Sequence, residues 1–312
     1  MSETKVDAVL RHVDSMPPLP TTVIKIIEIA NDPRSSVYDM DKVVSMDTVF
    51  SAKLLKMVNS SYFGLRDKIT TTSRAIAHLG MNTVKNLVLC AVVMKSMSDK
   101  VRASGFDMEG FWKHSMGCSI AAKMIAGRMN FSIHETEDFA LSGLLHDIGK
   151  LVFINFLPKD YKKVAAYASK HNVSYLAAER QNLSPDSVMS IKMDEAGEVP
   201  YVSAVERKLD HSYIGRHLAE KWNFPDIMTD VIAYHHFPWE CRNPYTQKAV
   251  HAVFIADVFA KANGLGFNGD SYVPLVRKET WDILGFNYVE LSNMKTFWLN
   301  EVEGAKDFLE VR

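Results

Sequence analysis

The sequence predicts an all-α protein, and three observations lead to that reading. Apolar residues recur at helical spacing, as at Val23, Ile26, Ile27 and Ala30. Start and stop signals punctuate these runs: Leu19-Pro20-Thr21 opens the first, and Asn59-Ser60-Ser61 closes the one from Val49 to Val58. No convincing alternating run of β-branched residues interrupts the pattern.

Taken in order, residues 73–97 read as two helices broken by Gly80. The first starts near Thr72 or Ser73, and the second presents Val84, Leu87, Val88 and Val92 on one side. Ser, Asp, Lys and Gly interrupt the pattern from Met97 to Gly110, which marks a boundary, and the next helix begins near Phe111. The stretch Ser184 to Tyr201 has the composition of an exposed loop or a short ordered insertion. Asn263 to Pro274 is a further loop. Its GLGFNG run matches the dinucleotide-binding fingerprint in letters only, because it follows a helix rather than a strand. Glycines at a helix C-terminus explain it better. These breaks divide the chain into residues 1–100, 101–262 and 263–312.

Composition narrows the function classes. Of 312 residues, 47% are apolar and 23% charged, the balance of a globular chain rather than a disordered one. The formal net charge of −1 gives no overall pull toward nucleic acid or acidic membrane, so neither is expected as a partner. Cys90, Cys118 and Cys241 lie far apart with no CxxC spacing, which suits a reducing compartment. The N-terminal MSETKVDAVLRHVDS lacks an apolar leader region. No apolar run is read as approaching the roughly 18 residues that span a bilayer. The expectation is a soluble cytoplasmic protein.

The informative positions are polar residues on apolar faces. His114 shares a face with Cys118, Ala121 and Ile125. His146 and Asp147 lie within LSGLLHDIGKLVF, His211 aligns with Ile214, Leu218 and Trp222, and His235-His236 ends an apolar helix before Pro238. Asp257 shares its stripe with Val250, Val253 and Phe254. An unpaired buried carboxylate costs several kcal/mol, and a buried imidazole must find hydrogen bonds. Taken singly, such a His is ordinarily a satisfied core residue, and such an Asp pairs with Arg or caps a helix. Five segments behaving alike have a simpler common explanation, convergence on one cation or cation pair. Pattern alone leaves both readings standing.

The motif LLHDIGK at 144–150 resembles the signature of the HD superfamily of metal-dependent phosphohydrolases. DHSYIG at 210–215 and the His235-His236 pair resemble the additional metal-site histidines of its HD-GYP branch. The chain as a whole most resembles the HDOD proteins, HD-related output domains of bacterial signalling. The resemblance rests on MPPLP (16–20), VNSSYFG (58–64), the Ala75-Ile76 to Gly80 segment, AERQNLS and DHSYIG, and spans roughly residues 10 to 260. It implies two helical lobes, the C-terminal one an HD-like core. Two departures stand out: His235-His236 leads into Phe237-Pro238-Trp239 rather than a Gly-Tyr-Pro element, and 184–205 is longer than the usual link.

The same resemblance implies a role for each residue. Asp147 bridges two divalent transition ions; His114, His146 and Asp257 hold one, and His211, His235 and His236 hold the other. Fe or Mn is favoured, with Zn or Ni as alternatives. Lys150 either reaches a substrate phosphate, which with Asp147 makes it a catalytic candidate, or is an ordinary helix-surface lysine. Two functions follow. One is a signalling output, sensory or scaffold module whose partner is another signalling protein or a small phosphorylated ligand. The alternative is a phosphohydrolase or phosphodiesterase.

Overall fold

The computed structural model describes residues 5–60, 63–96, 106–183, 191–193, 200–202, 209–267 and 272–305. Their architecture is helical throughout. Among the described residues the only strands are β1 (Ile191–Met193) and β2 (Pro200–Val202), an antiparallel pair with Lys192 opposite Tyr201. Three residues per strand are too few for an alternating pattern to register in sequence. The remainder of the 184–201 stretch, most of the Met97–Gly110 boundary, and Ser61-Tyr62 of VNSSYFG lie outside the described residues.

The first six helices are α1 (Lys5–Ser15), α2 (Thr21–Asn31), α3 (Val37–Met46), α4 (Thr48–Val58), α5 (Thr72–Leu79) and α6 (Met81–Ser96). Their starts are written in side chains. Ser36 and Asp39 form a capping box on α3, Asp47 accepts from Phe50 N–H on α4, and Thr71 accepts from Arg74 N–H on α5. Asn59 ends α4 and pins the following loop: its Nδ2 donates to Leu55 O and Ile69 O, both at 2.7 Å, and its Oδ1 accepts from Ile69 N–H at 2.8 Å.

The core then builds from α7 (Met108–Arg128), α8 (Ile133–Leu145), α9 (Ile148–Phe156), α10 (Pro158–His171), α11 (Tyr175–Leu183), α12 (His211–Lys221), α13 (Asp226–Tyr234) and α14 (Gln247–Ala262). Helices α7, α8 and α14 pack on one another, while α12 packs on α9 and α13. One expectation is corrected here. Ile133–Phe156, which includes α8 and α9, is long and apolar enough to cross a membrane by length and composition, yet 89% of its most apolar window is buried within the fold. A core helix pair satisfies the same criterion, because burial against protein selects the same residues as burial in lipid.

Three more helices complete the described residues: α15 (Lys278–Leu284), α16 (Tyr288–Asn293) and α17 (Lys295–Gly304). Trp298 of α17 is fully buried; its indole N–H donates to Gly117 O at 2.8 Å and its ring lies 4.7 Å from Phe259. The C-terminal helix is thereby tied to α7 and α14. At the other end, α1 packs on α9 and α12, and Lys221 Nζ donates to the carbonyls of Val13, Asp14 and Met16 at 2.7, 2.6 and 2.7 Å. That lysine satisfies carbonyls left open at the C-terminus of α1 and holds the entrance to MPPLP.

Two close approaches set the centre of the molecule. Helices α9 and α12 meet backbone to backbone: a Cβ on Gly149 would stand 1.9 Å from His211 O, and one on Gly215 would stand 3.2 Å from Gly149 N. Only glycine fits such a crossing. After α14, Gly266 adopts φ +64°, and a Cβ there would stand 2.4 Å from both Gly110 O and His114 N. Phe267 N–H donates to Gly110 O at 2.8 Å, so this turn braces the helix of His114.

Gly149→Ala therefore drives α9 and α12 apart and lowers stability by about 1–3 kcal/mol or more, the usual cost of overpacking. Gly127→Ala on α7, where an added Cβ meets nothing within 4 Å, raises it by about 0.5–1 kcal/mol through helix propensity. Denaturant midpoints for the two variants against the parent measure both effects. Equal midpoints for the two would contradict the crossing.

Candidate metal centre

The HD motif interrupts a helix. Ser132 and Glu135 start α8 with a capping box, α8 ends at Leu145, and α9 restarts at Ile148, so His146 and Asp147 occupy the break. Both are 1% exposed. His114 comes from the first half of α7 and Asp257 from the second half of α14. His211 is the first residue of α12, placed there by the N-cap Asp210, which accepts from Tyr213 N–H at 2.9 Å. His235 and His236 follow the end of α13.

The fold brings all seven expected residues together, in two groups. His114, Cys118, His146 and Asp257 form one; Asp147, His211, His235 and His236 form the other, and within each the ligating atoms lie within 4.8 Å of one another. Across the junction, His146 Nε2 is 3.3 Å from Asp147 Oδ2 and 3.9 Å from Asp257 Oδ1. His114 Nε2 lies 3.0 Å from Asp257 Oδ1. Asp147 Oδ1 faces His211 Nε2 at 3.2 Å and His235 Nε2 at 3.6 Å, and His211 Nε2 meets His236 Nε2 at 2.8 Å. All five imidazoles thus turn Nε2 inward.

Three of the outer nitrogens are anchored. His146 Nδ1 donates to Gly143 O at 2.7 Å, and His235 Nδ1 donates to Ile232 O at 3.0 Å. A carbonyl only accepts, so in each neutral ring the proton sits on Nδ1 and Nε2 presents a lone pair. His211 Nδ1 lies 2.6 Å from Glu179 Oε2, which also accepts the His211 backbone N–H at 3.0 Å. Arg180 holds the neighbouring Asp210 through two bonds of 3.0 and 2.8 Å. Metal-ligating histidines are fixed in this manner by carbonyls and carboxylates.

Each aspartate has its own lysine. Lys150 Nζ donates to Asp147 Oδ2 at 2.7 Å, and Lys261 Nζ donates to Asp257 Oδ2 at 2.8 Å. Burial pushes both carboxyls up, but the lysine beside each is the largest opposing influence, and both are held well below the usual range. Lys150, read from sequence as a phosphate-contacting group or a helix-surface lysine, is fully buried against Asp147. Burial lowers His114, His235 (to about 4) and His236, so all three are neutral at pH 7. His211 goes the other way: burial lowers it, but Glu179 and Asp147 overcome that and bring it to about 9. Burial and the two aspartates raise the Cys118 thiol.

The donor set fits a cation. His146 Nε2 and His235 Nε2 are buried without a hydrogen-bond partner, and their lone pairs face carboxylate oxygens. Acceptor against acceptor is repulsive in a low dielectric, and a positive ion between them reverses the sign. Five imidazoles and two carboxylates suit divalent transition ions.

Sequence reasoning passed over three participants. Lys261 was legible as an i+4 partner of Asp257, the counterpart of Lys150 at i+3 from Asp147. Glu179 lies far from His211 along the chain, and only the fold joins them. Cys118 was read as one of the apolar residues beside His114. Two further histidines belong to neither group: His217 pairs with Asp14 at 2.9 Å, and His251 Nδ1 lies 3.1 Å from Thr280 Oγ1.

Comparison with known proteins bears on this arrangement. Residues 16–189, more than half of the chain, match the HDOD domain. A solved HDOD domain protein with unknown function from Geobacter sulfurreducens is 19% identical, with 97% of each chain covered and a TM-score of 0.73. A structure from Shewanella amazonensis SB2B, described as a candidate phosphohydrolase, is 21% identical with 97% of each chain covered and a TM-score of 0.69. A candidate signal transduction protein from Marinobacter aquaeolei VT8 is 18% identical, covering 100% of this chain and 62% of that one, with a TM-score of 0.71. At these identities the likeness establishes the helical fold. An uncharacterised protein of Treponema pallidum (strain Nichols) is 24% identical over 228 residues, 72% of this chain but only 38% of its own length.

In metal-free protein, His211 is expected to stay protonated through pH 7–8 and to titrate near about 9. Because this lies above its ordinary 6.5, the group stabilises the metal-free fold fully below about pH 6.5 and loses that contribution as pH rises through 9. Glu179→Gln removes the charge that opposes burial and brings the titration down. Histidine ring-proton NMR of parent and variant measures both; an unchanged titration in the variant would remove Glu179 as the cause.

Proposed function

The chain belongs to the HDOD family, and on that premise we propose that it is a signal-transduction module built around a buried metal centre, acting as an output, sensory or scaffold domain. One observation supports this reading above the rest: buried Nε2 lone pairs of His146 and His235 aimed at the Asp147 carboxylate, with their Nδ1 protons fixed by backbone carbonyls. In this reading Asp147 joins two positions. His114, His146 and Asp257 hold one ion; His211, His235 and His236 hold the other. The ions are divalent transition metals, Fe or Mn first, with Zn or Ni as alternatives.

Helix α12 supports a sensory role. It starts at His211 and ends at Lys221, which grips the C-terminal carbonyls of α1. A ligand residue and an inter-helix clasp therefore share one rigid element, about 15 Å long at 1.5 Å per residue. Occupancy that shifts His211 shifts the clasp with it. The partner in this reading is a signalling protein or a small phosphorylated ligand in the cytoplasm, not nucleic acid.

A second reading, a metal-dependent phosphohydrolase, has its own support. His236 is half-buried while the other expected ligands are buried, so the second group reaches toward solvent. Trp239 follows His236 by three residues, and the Arg277 guanidinium lies 3.7 Å from the centre of its ring, a cation suited to a phosphorylated ligand. A bound metal pair supplies water activation and a clamp on phosphate oxygens. In that chemistry Lys150 is a positioning residue, since it holds the outer oxygen of Asp147.

Protein purified without chelator is expected to contain metal by mass spectrometry. His146→Ala and Asp257→Ala lose it, whereas His12→Ala, His78→Ala, His134→Ala and His171→Ala retain it. Loss in the second set would overturn the ligand assignment, and metal-free parent protein would overturn the centre itself. Metal-loaded protein showing no turnover above an Asp147→Ala control, on phosphoesters and cyclic dinucleotides, decides for the non-catalytic module.

A further inference from the structure

The two groups around Asp147 differ in a way the histidines alone do not explain. Cys118 follows His114 by one turn of α7, the i,i+4 spacing that places two side chains on one face. Its sulfur is fully buried, 3.4 Å from His114 Nε2, and shares the first group with His146 and Asp257. Cys90 and Cys241 are also buried but belong to neither group. A buried cysteine that only fills space is ordinarily surrounded by apolar atoms. Cys118 instead shares its immediate surroundings with two imidazole nitrogens and a carboxylate.

Resting on the metal-centre reading above, we propose that Cys118 is a further protein ligand at the Asp257 end of the centre, beside His114, His146, Asp257 and the shared Asp147. That end then binds its divalent ion through one thiolate, two imidazoles and two carboxylates, one of them shared with the other position. On binding, the S–H bond breaks heterolytically: the proton passes to solvent buffer, the sulfur keeps the electron pair and donates it to the cation, and no oxidation state changes.

Two consequences follow from the chemistry. Five protein ligands, each no more than 1% exposed, make a closed set with no position left open to water, as in a site that holds a structural ion. The other group, with half-buried His236, is the one left to exchange ions or admit an external ligand. Thiolate ligation also changes the choice of metal. It favours Zn, Fe or Co over the harder Mn at this end, while the all-imidazole-and-carboxylate end keeps the wider preference. The centre is thus asymmetric, with one fixed ion and one responsive position.

Cobalt(II) titrated into metal-free full-length protein tests the proposal through two readouts, bound cobalt by mass spectrometry and the near-ultraviolet thiolate-to-cobalt charge-transfer band. The parent is expected to bind cobalt and show the band, and the double variant Cys90→Ala/Cys241→Ala is expected to keep it. Because the chain has three cysteines, a band surviving in that double variant belongs to Cys118 even if a Cys118 variant fails to fold. Cys118→Ala and Cys118→Ser are expected to lose the band while the His211 group still binds cobalt. Cobalt bound without the band, or a band that disappears in the double variant, overturns the thiolate ligand and leaves the metal centre standing. A parent that binds no cobalt overturns both.

Discussion

Keeping the Asp147 carboxylate ionised in an apolar core is the constraint on which the rest of the structure depends. Removing such a charge from water costs several kcal/mol unless partners replace its hydration. The replacement is distributed over the elements that reach it: Lys150 in the first turn of α9 and His211 at the start of α12 stabilise the charge directly, whereas His146 at the break and His235 at the end of α13 would do so through a cation held between them. Each segment has to arrive at one point. The glycine crossing of α9 and α12 is what lets His211 come so close, and the capping of α12 by Asp210, itself held by Arg180, fixes where that helix begins. The polar centre sets the helix packing as much as the packing sets the centre.

Asp257 repeats the same solution on another helix. A lysine one turn on takes the outer oxygen, and the inner oxygen faces histidine. The lysines hold both carboxylates ionised before any cation arrives, so the ligands are already in their binding protonation state. The Nδ1 anchors do the same for the rings. His211 is the exception, since Glu179 favours its protonated form, and an incoming ion has to displace that proton. The imidazoles and carboxylates are therefore close to preorganised at the Asp257 end, where the proposed Cys118 ligand alone would still have to lose a proton, and conditional at the His211 end.

Much of this was legible in the sequence, for reasons that differ by residue. The fold class and the family were readable because helical periodicity and motifs such as LLHDIGK and MPPLP extend over most of the chain. The residues that gather around Asp147 stood out because a polar side chain on an apolar stripe violates local expectation at each position independently. His211 registered in that way although it is the first residue of its helix, because the buried face of Ile214 and Leu218 continues to the helix start. Glu179 did not register, since its pairing with His211 is purely tertiary. Cys118 was hidden by its type, which counts as apolar in any periodicity argument. The hairpin of β1 and β2 escaped because three-residue strands carry no pattern.

The contrast between the two groups bears on the choice between signalling and hydrolysis. A hydrolase needs its substrate to reach the ions, and a sensor needs occupancy to move something outside the site. The first group, closed and braced by the Gly266 turn and Trp298, is tied to α7 and α14, which pack on each other and on the C-terminal helix. The second rests on α12, whose far end grips α1 and whose start depends on a proton and on Glu179. In the proposed reading, a change in occupancy at His236 and His211 would be transmitted along α12 rather than absorbed at the Asp257 end. In that reading a centre with one ion locked and the other on a lever would have the mechanics of a switch, and the same openness at His236 that would admit an exchangeable ion would admit a phosphate. The architecture supplies the lever in either case; what turns on substrate chemistry is only whether the visitor leaves intact.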